Sequence, residues 1–143
     1  MFERTRALYD DLARTLGVAA LPADPSGSVQ LSVGENSTVA LFAEDEFTLL
    51  LASPVTALPR QVEYGRILWL LRRNFYDSPI APFRVACDTA GSVVVWGRVP
   101  VEGMTGEQLA KLLDALAEEA DLIREEIEVD EGADEEDPAA VAQ

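Results

Sequence analysis

The chain has 143 residues, enough for one domain that buries roughly two-thirds of its unfolded surface without metal or disulfide staples. With 26 acidic against 11 basic residues its net charge is −15. That balance argues against nucleic acid and anionic membrane surfaces as partners, since no basic cluster is present to displace counterions from phosphates.

Taken in order, residues 2–16 read as a first helix. Phe2, Leu8, Leu12 and Leu16 fall near one face, Arg4, Arg6, Asp10, Asp11 and Arg14 lie off it, and Gly17 is a stop. Periodicity leaves open whether that face packs on a sheet or stays exposed for a partner. The charged start lacks the apolar core of a signal peptide, and no run approaches a membrane span, so the chain is read as soluble and cytoplasmic.

Residues 22–27 form a loop by their turn residues, and three short strands follow. Val29, Leu31 and Val33 alternate with Gln30, Ser32 and Gly34; Val39, Leu41 and Ala43 with Ala40 and Phe42; Phe47, Leu49 and Leu51 with Thr48 and Leu50. The short connections at 34–37 and 44–46 make this an antiparallel meander. Phe42 and Leu50 make its second and third strands apolar on both faces, more than a sheet with one solvated side needs.

Residues 54–59 break the strand pattern, and 60–76 read as a second helix. In its middle Ile67-Leu68-Trp69-Leu70-Leu71 is apolar around the whole circumference. One sheet covers only one side of such a helix, so the other side packs on a second helix or on another subunit. The subunit is the preferred reading: a homodimer interface built from Ile67, Leu68, Trp69, Leu70 and Leu71, with Trp96 assigned to it as well.

Phe83, Val85 and Cys87, then Val93, Val95 and Val99, repeat at period two on either side of Asp88-Thr89-Ala90-Gly91-Ser92, which is a β-hairpin. Cys87, the only cysteine, is expected to be a small buried hydrophobe; without a second thiol there is no disulfide and no evidence for secretion. Thr105 and Gln108 have the spacing of a capping box. Beyond them Leu109, Leu112, Leu113, Leu116, Ala120, Ile123 and Ile127 form one apolar stripe, expected to lie on the hairpin. Glu128, Asp130, Glu131, Asp134, Glu135, Glu136 and Asp137 then crowd into ten residues with no base; subtracting these seven from −15 still leaves −8 on the remainder. Residues 1–129 are read as the folded domain and 130–143 as a disordered acidic tail.

Chemistry is hard to find. The absence of histidine removes the commonest general base and zinc ligand, and leaves any serine or cysteine nucleophile without an imidazole partner. Glu44-Asp45-Glu46 could be proposed for a hard cation in a metal-dependent hydrolase, but a turn without spaced ligands is better read as solvated. Gly91 and Gly97 are not a phosphate cradle, because no Lys-Ser/Thr follows. No active site, cofactor or metal site is expected.

The stretch from Phe83 to Pro100 resembles the strand, Asp-x-x-Gly turn and strand ending in an apolar-Pro pair of the type III secretion chaperones of the Tir-chaperone (CesT-like) family, and the long acidic helix follows as it does there. The match extends more loosely over residues 2–127; the long acidic tail is a departure. The resemblance implies an α+β fold, α-β-β-β-α-β-β-α, with an antiparallel sheet packed by helices and a homodimer whose second helix lies near the two-fold axis. It further implies an ATP-independent chaperone that binds a non-globular N-terminal segment of a secreted effector and delivers it to the secretion ATPase. Client-binding patches would map onto Leu8, Leu12, Leu16, Leu31, Val33, Phe42 and Leu50. The alternative in this fold is a regulatory or adaptor domain that binds a folded partner.

Overall fold

A computed structural model describes residues 1–78, 80 and 82–141, with side chains through residue 128. The elements run α1 (Glu3–Leu16), β1 (Val29–Val33), β2 (Ser37–Ala43), β3 (Thr48–Ala57), α2 (Tyr64–Arg72), β4 (Arg84–Cys87), β5 (Ser92–Pro100) and α3 (Gly106–Val141). The expected order of helices and strands is therefore present. The acidic tail expected over 130–143 lies outside the residues described with side chains.

The five strands form one antiparallel sheet in the order β1-β2-β3-β5-β4. Asp88 sets the β4–β5 turn, its carboxylate accepting the N–H groups of Ala90 and Ser92 at 2.9 Å each, while Gly91 takes φ +84. One face of the sheet carries Val29, Val39, Leu41, Leu49, Leu51, Val95 and Val99, all buried under the helices. α3 lies chiefly over β3 with β2 and β5 to either side, so its stripe covers the middle of the sheet as well as the hairpin. Its capping box closes in both directions: Thr105 N–H donates to Gln108 Oε1 (3.0 Å) and Gln108 N–H to Thr105 Oγ1 (3.1 Å).

α1 packs against the start of α3. Gly106 lets the backbones meet, since a Cβ there would sit 2.5 Å from the Asp11 carbonyl. Its N–H donates to the Asp11 carboxylate (2.5 Å), and this bond, with Arg14 second, holds that carboxyl below its usual range. Gly97 in β5 is a second close approach: the Phe83 ring fills the space where its side chain would stand.

Three expectations change. β3 does not stop at Pro54 but runs to Ala57. Its ladder with β2 ends at Ala52, so from Ser53 onward its strand pairing is with β5 through an irregular register, an edge setting that tolerates proline. α2 is shorter than 60–76: Glu63 is still extended (ψ 144), and beyond Arg72 the Asn74 side chain turns to β4. Cys87 is exposed, because β4 is an edge strand and its last residue reaches past the cover of α2. Its thiol is therefore expected to be alkylated by iodoacetamide in the native protein about as fast as in denaturant; protection until unfolding would mean another surface covers β4.

Candidate binding surfaces

Within one protomer the apolar residues left over from the core fall into separate places. The first is the outer side of α2. Tyr64, Leu68 and Leu71 recur at i, i+4 and i+7, and Phe75 continues the line just past the helix end. Tyr64 is 77% and Leu71 60% exposed, and the rings of Phe75 and Tyr76 lie against each other with centroids 4.4 Å apart. The inner side is fixed to α3 by two ion pairs, Arg66 with Glu126 and Arg73 with Glu119, and the Arg73 guanidinium also lies 4.6 Å over the Trp69 ring. Between α2 and the sheet runs a cleft of about 200 Å³ lined by Leu58, Ile67, Leu70, Val85, Cys87 and Val93.

The second place is the helix-free face of the sheet. Cross-strand partners share a face, so the register puts Phe42, Leu50 and Arg98 in one row and Ala40, Ala52, Trp96 and Arg84 in the next. Phe42 is 39% exposed and Leu50 and Trp96 are half-buried, with no helix over them. Arg98 lies 5.1 Å over the Trp96 ring and bonds Glu44 at 2.7 Å, a contact that strengthens its hold on its proton.

The third place is a sheet edge. At the β4 edge Asn74 acts as a substitute strand: its Nδ2 donates to Val85 O (2.8 Å) and its Oδ1 accepts Val85 N–H (2.6 Å). At the other edge, nothing among the described residues hydrogen-bonds to the outer side of β1.

The residues expected to bind a client are therefore divided. Leu8 and Leu12 belong to the core, Leu12 with 0% exposure, and this corrects their assignment to a surface. Their spacing identified a shared face, but that face is closed by α3. Leu16 is exposed at the end of α1; Leu31 and Val33 are half-buried on the helix-covered face of β1; Phe42 and Leu50 are direct partners on the open face. Of the residues expected at a dimer interface, Leu68 lies on the outer side of α2, Ile67 and Leu70 line the cleft, exposed Leu71 stands at the cleft's rim, and half-buried Trp69 carries Arg73. Leu70 is buried within the protomer. Trp96 lies on the opposite face of the sheet from α2, since its neighbour Val95 is the one that points to the helices. Tyr64, Phe75 and Tyr76 were missing from the expected surface, although the spacing of Tyr64, Leu68, Leu71 and Phe75 is visible in the sequence. Asn74 as an edge plug has no sequence signal.

The acidic turn is engaged otherwise: Glu44 pairs with Arg98, and Asp45 accepts the Phe47 N–H at 2.8 Å. Among the described residues no three His, Cys, Asp or Glu side chains are grouped to hold a metal, and no helix is long and apolar enough to cross a membrane.

The family model for the Tir chaperone protein (CesT) family matches residues 8–124. Solved structures share the fold. A chain of the Yersinia pestis type III secretion chaperone SycH in complex with a stable fragment of YscM2 superposes with a TM-score of 0.72 at 21% identity, covering 83% of this chain and 98% of that one. A chain of the heterodimeric ExoU–SpcU complex from the type III secretion system of Pseudomonas aeruginosa gives 0.72 at 24% identity, covering 83% and 97%. A chain of the HopA1–SchA chaperone–effector complex gives 0.69 at 18% identity, covering 85% and 94%. No curated protein matches in sequence.

Proposed function

The chain belongs to the Tir chaperone protein (CesT) family, and from that premise we propose that it is a cytoplasmic, ATP-independent chaperone for a type III secretion effector. It works as a homodimer that holds a non-globular N-terminal segment of the effector in a form fit for export and presents it to the secretion ATPase. It acts by binding and not by catalysis.

The observation that carries this reading is the unroofed sheet face with Phe42 and Leu50 directly opposed. A folded core has no use for large apolar side chains on its solvent side, whereas an extended or helical guest can cover them. The unpartnered edge of β1 offers main-chain hydrogen bonds to the same guest, while Asn74 closes the competing edge. The outer stripe of α2 is separated from the open face by the thickness of the sheet and from the β1 edge by its width, which suits it to a two-fold contact with a second copy. The net charge of −15 keeps such a dimer soluble and draws in clients that are basic overall.

Phe42→Asp is the direct test, with the effector encoded nearest to this chain's gene as client. The two are co-expressed and purified at low salt. The variant is expected to fold with an unchanged melting temperature, since Phe42 touches the core little, yet to retain less than about a tenth of the client, because an unpaired carboxylate would be covered by the guest. Undiminished co-purification would move the binding surface elsewhere. A regulator with a folded partner would instead leave the partner's protease sensitivity unchanged on binding.

A further inference from the structure

On a chain with 26 acidic residues, the strand positions of the open sheet face carry two arginines, Arg84 and Arg98, and no Asp or Glu. Arg98 already has Glu44. Arg84, directly across from Trp96, donates one N–H to Phe83 O at 2.9 Å and has no carboxylate partner among the described residues. Among the described residues Arg6, Arg60 and Arg72 also lack a carboxylate partner, but they are exposed, whereas Arg84 is half-buried. A guanidinium has five N–H donors in a planar fork, so Arg84 keeps a vacant side for a bidentate acceptor.

We propose that Arg84 selects the client segment: the guest lays apolar side chains over Phe42, Leu50 and Trp96 and sets one Asp or Glu carboxylate against the Arg84 guanidinium. This rests on the client-binding reading above. A guest that covers Arg84 with an apolar side chain or a lysine strips water from an unpaired cation, which is costly, while a carboxylate replaces that water with a charge-assisted pair in a drier setting. The penalty against wrong guests supplies specificity that an apolar patch alone lacks. The client is then basic in general and acidic at one position.

The test uses three labelled model peptides of about 20 residues, alternately apolar and uncharged polar, identical except for a central Glu, Gln or Lys. Fluorescence anisotropy at low salt follows their binding to the wild-type dimer, Arg84→Gln and Phe42→Asp, each shown folded by its melting curve. The Glu peptide is expected to bind at least about tenfold tighter than the Gln peptide, with Lys weakest, and Arg84→Gln should erase the order. Equal affinities on wild type, or the same order on Arg84→Gln, overturn the role of Arg84. If those equal affinities are lost in Phe42→Asp, the open face still stands as the docking surface and only the selection fails. If no peptide binds wild type, the docking face itself falls and the inference with it.

Discussion

Gly106→Val is expected to cost at least about 3 kcal/mol of stability, or about 10 °C in melting temperature at matched protein concentration. A Cβ at this position would stand 2.5 Å from the Asp11 carbonyl carbon and oxygen and 2.6 Å from the Leu12 nitrogen, all main-chain atoms of α1. No side chain can swing aside to make room. α1 would have to move as a body, which opens its packing on α3, where Leu12 and Leu109 are fully buried, and lengthens the bond from Gly106 N–H to Asp11. Gly65→Ala is the control. Nothing lies within 4 Å of a Cβ there and its backbone is helical, so the alanine should add about 0.5–1 kcal/mol. Equal melting temperatures for Gly106→Val and wild type would mean that α1 and α3 are not packed as described.

The second large effect is on assembly. Leu71→Asp should give a soluble, folded monomer whose dimer dissociation constant is at least about 100-fold weaker, because each two-fold contact would cover the new carboxylate twice. Leu71 is 60% exposed in the protomer, so the fold itself loses little. Leu70→Asp differs: Leu70 is buried on the inner side of α2, and a charge there should leave insoluble or unfolded protein. The neighbours thus separate folding from pairing, with sedimentation velocity as the readout. A Leu71→Asp protein that still sediments as a dimer would show that α2 is not the interface.

Periodicity placed the elements well wherever one residue type decides the local backbone. Gly17 ends α1, Asp88 with Gly91 makes the hairpin turn, and Thr105 with Gln108 starts α3. It located apolar faces but not what covers them. Leu8 and Leu12 share a face in the sequence whether that face meets α3 or a client, and only the position of Gly106 against Asp11 decides between the two. Cys87 obeys the alternation of its strand and is still exposed, because exposure depends on how far α2 reaches over an edge, which is not a property of β4. Trp96 is assigned to the same interface as α2 in the sequence reading, and the register of β5 against β3 puts it on the other side of the sheet. The closure of one edge by Asn74 and the setting of half-buried Arg84, without a carboxylate among the described residues, depend on the tertiary arrangement and have no local pattern.

Hydrogen exchange on the effector's N-terminal segment, free and bound, reads the central claim most directly. Bound segment amides should be slowed over a short stretch paired with β1 and over the part lying on Phe42 and Leu50, while the remainder exchanges as fast as an unfolded chain. A segment that exchanges equally fast free and bound, or one that is protected throughout because it has folded on its own, would contradict the account.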